Sequence, residues 1–229
     1  MGRGALQLTP KNVRRNGGGV ETESERLFRQ FCDESGLVCV PIPCASHRTP
    51  DYSVTCSGTR VVCEVKQLQQ SQREKAALQE AFSTGSAAAY FPGNRLRQKL
   101  KKISPQLKAE AGCGTPTILV VYDNGPFGTD LDHETVLQAM FGDIGYPIQF
   151  VEGSASKPVA GEPRFGGNRG LTPVHNTSVS ALAALERHDG RLRLRVYHNP
   201  FAAVPLNPDI LPADAVVQRV LPGDASVSL

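Results

Sequence analysis

Apolar and polar positions set an order of elements before any motif is considered. In VETESERLFRQFCDESG (20–36), Val20, Leu27, Phe28 and Phe31 follow helical spacing, acids crowd the first turns, and Gly36 supplies a stop, so the pattern predicts a helix. LVCVPIP (37–43) reads as a strand entering a proline-limited loop. DYSVTC (51–56) alternates, Ser57-Gly58 turns the chain, and TRVVCEVKQL (59–68) returns as the next strand of a hairpin. QQSQREKAALQEAF (69–82) has helical character, and STGSAAAYFPGN after it reads as a flexible insertion. A basic helix is expected over 94–111, interrupted near Pro105. GCGTPTILVVYDN (112–124) then carries a continuous apolar run, the mark of a central strand covered on both faces.

Beyond Asn124 the pattern is weaker. HETVLQAMFG (133–142) predicts a short helix and YPIQFVE (146–152) a strand, while 153–176 is rich in Gly, Pro and Ser and reads as a long loop. Its FGGNRG (165–170) is expected to be a mobile loop rather than a nucleotide cradle, able to carry Arg164 and Arg169 toward a nucleic-acid backbone. TSVSALAALER (177–187) and RLRLRVYH (191–198) read as two strands joined at Asp189-Gly190, although the alanines of the first leave a helix open. The expected organisation is a flexible segment over 1–19, a core over 20–124 with 69–93 as an insertion, and a β-rich C-terminal extension over 125–229 packing on the same domain.

Composition narrows the class. A hydrophobic content of 40% and a charged content of 21% describe an ordinary soluble globular protein. No apolar run approaches the length that spans a bilayer, so no membrane partner is expected. The first nineteen residues lack the apolar middle of a secretory signal, which makes a cytoplasmic location the default. Six cysteines form no Cys-x-x-Cys and are expected to be reduced and mostly buried rather than zinc ligands or disulfides.

A net charge of +3 proves no partner, but its distribution is informative. NRLRQKLKKISPQLKA (94–109) holds Arg95, Arg97, Lys99, Lys101, Lys102 and Lys108 without one acid. Such a helix suits a phosphate-facing surface; an ordinary solvated face would interleave glutamates at i,i+4. His47 and Arg48, just before the hairpin, are further candidates for phosphate contact.

The chemistry concentrates on the hairpin. With 22 acids in 229 residues, about one acid-x-Lys triplet arises by chance, so Glu64-Val65-Lys66 alone decides nothing. Its context does more. On a strand Glu64 and Lys66 share a face while Val65 points into the opposite layer, and the flanking Val61, Cys63 and Leu68 are apolar. A carboxylate and an ammonium there carry a desolvation cost that calls for a purpose. Asp51 begins the neighbouring strand, after Pro50 at an entry position where a missing amide costs little. Two carboxylates converging from adjacent strands are hard oxygen ligands for a divalent cation, with the Val65 carbonyl available as another.

Asp51 after Pro50, followed by Glu64-Val65-Lys66 at the end of the next strand, resembles the motif of the PD-(D/E)XK phosphodiesterase superfamily. The order helix, three strands, helix, strand is similar to its restriction-endonuclease-like core, over a little under half of the chain. The resemblance implies an α/β fold with a mixed central sheet flanked by helices. It also implies a magnesium- or manganese-dependent nuclease, with Asp51, Glu64 and an early helix glutamate as metal ligands and Lys66 serving the attacking water or the developing charge. Glu25, eleven residues before Gly36, fits that glutamate best, with Glu21 and Glu23 as competitors. DNA is expected ahead of RNA, and duplex cleavage suggests a homodimer because two strands need two sites. The competing reading is a catalytically inactive nucleic-acid-binding or scaffold module of the same fold; for Glu64 and Lys66 alone, the plain alternative is a cross-strand salt bridge on a solvated face.

Overall fold

The computed structural model describes residues 21–43, 49–69, 72–84, 94–125, 131–149 and 159–219. Helix α1 (Glu23–Glu34) opens with a capping box: the Thr22 hydroxyl accepts from the Glu25 amide, and the Glu25 carboxylate accepts from the Thr22 amide at 2.7 Å. Leu27, Phe28, Phe31 and Cys32 form its buried stripe. Gly36, at φ +68°, ends it in a Schellman turn, with the Leu37 amide donating to the Cys32 carbonyl and the Gly36 amide to the Asp33 carbonyl.

Strands β1 (Val38–Pro41), β2 (Tyr52–Cys56) and β3 (Thr59–Leu68) follow, paired antiparallel in that order. The β2–β3 turn uses Ser57 and Gly58, both with positive φ, the backbone whose twist matches the flanking strands. After α2 (Gln72–Thr84) and α3 (Asn94–Gly112), β4 (Thr117–Asp123) lies parallel to β3. Helix α3 runs through Pro105 without a break, which corrects the expected interruption. Pro105 is on the exposed side, so the carbonyl whose bond it removes is turned toward water.

Helix α4 (His133–Phe141) starts at an Asp132 cap and ends at Gly142. The short pairs of β5 (Ile144–Gly145) with β8 (Arg164–Phe165) and β6 (Ile148–Gln149) with β7 (Val159–Ala160) precede the last large elements. These are β9 (Ala181–His188), β10 (Arg191–His198) and β11 (Ala215–Gln218). The chain is therefore mixed α/β around one seven-stranded sheet in the order β1-β2-β3-β4-β9-β10-β11. The C-terminal extension continues the central sheet, because β9 aligns parallel to β4. Its alanine-rich stretch is a strand buried on both faces, which closes the helical alternative.

Two apolar layers sandwich the sheet. On one side α1 covers Val61, Cys63, Val65, Val120 and Ala183; on the other α3 and α4 cover Val62, Leu68, Leu119, Val121 and Leu182. FGGNRG is packed rather than free, which corrects the reading of a mobile loop. The Gly170 amide donates to the Ala139 carbonyl at 3.1 Å, and a Cβ at Gly170 would stand 2.2 Å from that oxygen. Arg169 turns back onto the Gly166 and Phe165 carbonyls.

Cys32, Cys39, Cys56, Cys63 and Cys113 are free thiols; Cys113 is exposed, while Cys32, Cys56 and Cys63 are buried in the α1 layer. Burial pushes the Cys56 and Cys63 thiols up, keeping them protonated. Among the described residues no helix is long and apolar enough to cross a membrane.

Candidate active site

Strand β3 builds the site by alternation. Val61, Cys63 and Val65 enter the α1 layer, whereas Val62, Glu64, Lys66 and Leu68 face α3. Pairing of Tyr52 with Cys63 puts Asp51 next along, opposite Glu64. The Asp51 carboxylate accepts the Val65 amide proton at 2.8 Å, a bond that takes over where the β2–β3 ladder ends. This bond fixes the rotamer that aims the carboxylate at its neighbours.

Lys66 closes the cluster. Its Nζ lies 3.6 Å from Asp51 Oδ2 and makes an ion pair with Glu64 Oε1. Glu64 is 0% exposed and Asp51 8%, while the Lys66 side chain keeps 30%. Two carboxylates held out of water against one shared ammonium make a place that demands positive charge, because an uncompensated buried ion costs several kcal/mol.

A pocket of about 480 Å³ lies over this cluster, walled by Asp51, Val65 and Lys66 from the sheet and by Thr22, Ser24 and Glu25 from the start of α1. Glu25, at 6% exposure, lines this pocket, and one of its oxygens accepts from the Thr22 amide. Glu21 is instead paired with Arg29 at 3.1 Å. Gln67 and Gln69 line the same pocket, and α3 contributes Arg95, Gln98, Lys99 and Lys102.

Compared with family models, curated proteins and solved structures, the chain finds no match. Its function is therefore read from geometry and chemistry.

Of the basic residues expected to meet phosphate, Arg95, Lys99 and Lys102 come to the pocket, while Lys101 and Lys108 are exposed elsewhere on α3. Arg97 is corrected: it is 5% exposed, donates to the Gln138 carbonyl and to Asn94, and forms an ion pair with Asp143. Its charge fastens α3 to α4, and it also helps to hold the Asp143 carboxyl below its ordinary value, behind the larger effect of the Asn168 amide. His47 and Arg48 lie outside the described residues.

Thr22, Ser24 and Gln98 were not legible as pocket residues. Gln98 sits three positions after Arg95, so the helical phase of α3 was the signal that could have found it. A second polar cluster, also invisible in sequence, joins residues far apart in the chain. His133 Nδ1 lies 3.3 Å from the Tyr197 hydroxyl, Arg195 donates to that hydroxyl, and Arg195 pairs with Glu186 at 2.6 Å. Burial first, then Arg195, lowers the His133 imidazole below its ordinary 6.5.

Among the described residues, no group of three or more His, Cys, Asp or Glu side chains is arranged to hold a metal ion. The two-carboxylate set of Asp51 and Glu64 still fits magnesium by chemistry, since that ion commonly takes one or two carboxylates and keeps several waters. The bridging position of the Lys66 ammonium marks where positive charge is accommodated.

Proposed function

We propose that this chain is a metal-dependent phosphodiesterase of the PD-(D/E)XK type with a restriction-endonuclease-like core, acting on nucleic acid and on DNA in the first place. The observation that carries the proposal is the Asp51–Glu64–Lys66 cluster, in which Glu64 forms a fully buried base behind Asp51 and Lys66, and these two line a basic-walled pocket. A simple core salt bridge has no need of a pocket or of a second carboxylate converging on the same ammonium.

Asp51 and Glu64 would hold magnesium or manganese, with the Val65 carbonyl and the Glu25 carboxylate within the same wall. When bound, such an ion activates water and neutralises charge on a phosphate undergoing attack. Lys66, on the same strand face, supplies the protein's own cation to the phosphate oxygen or orients the water. The hydrogen bond donated by the Val65 amide to Asp51 and the cap at Thr22 hold both acidic walls in place before substrate arrives.

One observation favours the non-catalytic module: the Glu64–Lys66 pair is already complete without any ion. The two readings separate on metal. Carboxylates facing phosphate repel it unless a cation intervenes, so magnesium strengthens DNA binding in a nuclease and only screens it in a module. The direct experiment incubates the protein with supercoiled plasmid, single-stranded DNA and RNA in magnesium, manganese or EDTA, beside Asp51→Ala and Lys66→Ala. Metal-dependent cutting lost in both variants supports the proposal. No cutting on any substrate, with binding indifferent to metal and to both substitutions, overturns it.

A further inference from the structure

Helix α3 carries six cations, but its rotation sorts them. Leu96, Leu100, Ile103 and Leu107 are fully buried, which fixes the face turned to the sheet. At 3.6 residues per turn, Arg95, Lys99 and Lys102 then fall within a stripe roughly 60° wide. All three line the pocket, with Gln98 beside them. Lys101 and Lys108 lie more than about 90° round the helix from that stripe.

The stripe is long for one phosphate. Arg95 to Lys102 covers about 10.5 Å at 1.5 Å per residue, and one strand of a duplex presents a phosphate about every 3.4 Å of axis. The cations are also crowded. Burial, followed by repulsion from Lys66, Lys102 and Arg95, holds the half-buried Lys99 ammonium below its ordinary value. Among the described residues neither Lys99 nor Lys102 has a carboxylate partner to relieve that crowding. Arg95 Nη1 donates to the Gln69 carbonyl at 2.7 Å, tying the first turn of α3 to the end of β3 and setting the stripe against the reacting cluster.

We infer that Arg95, Lys99 and Lys102 form a phosphate-seating stripe for the phosphates next to the one at Asp51 and Lys66, so that the pocket takes an internal stretch of a polynucleotide strand rather than a lone nucleotide. The inference rests on the proposed phosphodiesterase function and adds the substrate's course along α3 to it. A nucleotide monophosphate engages the stripe at one point; a strand engages it along its length.

The test measures binding of a fluorescein-labelled single-stranded DNA oligonucleotide and its duplex to the full chain in EDTA, by anisotropy across about 50 to 200 mM salt. Removing one phosphate-binding cation lowers the slope of log K against log salt by about 0.7 on a single strand and about 0.9 on a duplex. Lys99→Gln and Lys102→Gln are expected to lower it by that much each, Lys99→Arg to keep it, and Lys101→Gln and Lys108→Gln to leave it unchanged. A nucleotide monophosphate is expected to compete poorly. An equal fall in all four glutamine variants, no change at Lys99 and Lys102, or no binding at the lowest salt each overturns the stripe. Because binding is read without metal, absence of cutting in the plasmid assay with an intact slope pattern counts against the proposed catalysis alone.

Discussion

Replacing Lys66 by methionine removes the ammonium that the two buried carboxylates share, while keeping most of the side chain's volume. Glu64 has 0% exposure, so its charge has no water to turn to. Breaking a buried ion pair from one side costs about 3–5 kcal/mol. Lys66 is itself 30% exposed, which places the expected loss at the lower end, about 3 kcal/mol. For a domain of this size each kcal/mol moves the midpoint by about 2–4 °C, giving a drop of about 6–12 °C. Circular dichroism melting in EDTA reads it directly, and Glu64→Gln in the same chain should recover most of the loss. Magnesium at a hundredfold excess over its dissociation constant adds about 2.7 kcal/mol, so it should restore much of the variant's stability. A Lys66→Met protein that melts like the parent would refute the buried-charge argument. A normal drop that magnesium leaves untouched would instead count against the metal.

Four other substitutions have expected outcomes. Arg97→Met should destabilise by about 1.5–3 kcal/mol through the loss of its charged hydrogen bonds, yet leave the salt slope of DNA binding intact, as denaturant titration and anisotropy would show. Lys99→Gln should raise stability by about 0.2–0.5 kcal/mol at neutral pH, because it removes a like-charge i,i+4 pair with Arg95. The gain should fade as pH rises toward 10.5 and be gone above it: Lys99 is depressed in the fold, so just below 10.5 the unfolded chain binds the extra proton and parent stability rises with pH. His133 is depressed likewise, so stability should fall as pH drops below 6.5, and His133→Asn should flatten that limb in a pH series of melts. Gly170→Ala should cost at least 1–3 kcal/mol, roughly the overpacking range, since its methyl meets the Ala139 carbonyl; proteolytic susceptibility of the 165–170 segment should rise with it.

Local signals carried the first half of the chain well. The apolar spacing, the acids of the first turn and Gly36 announce α1, and Ser57-Gly58 specifies the hairpin. Period-two alternation alone put Glu64 and Lys66 on one face. What failed required distance. That β9 aligns with β4 depends on pairing between segments far apart in the chain, where the sequence offers only two apolar runs. A count of six cations does not distinguish the faces of α3, whereas the spacing of Leu96, Leu100, Ile103 and Leu107 separates the pocket stripe from the outer face. Arg97 falls at the rim of that apolar stripe, and only the nearby Gln138 carbonyl and Asp143 explain its burial. Pro105 usually interrupts a helix, but here the carbonyl it leaves without a partner faces water and the helix continues.

The unequal lengths of β2 and β3 bear on how this protein can change over time. Strand β3 runs on to Leu68, whereas its antiparallel pairing with β2 stops at Cys63; beyond it the described ladder is held by β4 alone. Glu64, Val65 and Lys66 sit on that overhang, and the chain leaves it directly into the connection that holds α2. Lengthening such a connection costs only about 0.6 kcal/mol per doubling. Additions at this point can reshape what reaches the pocket while Asp51, Glu64 and Lys66 stay anchored by the sheet. The scaffold thus separates the part that must be kept from the part that is free to vary, and places the two a few residues apart.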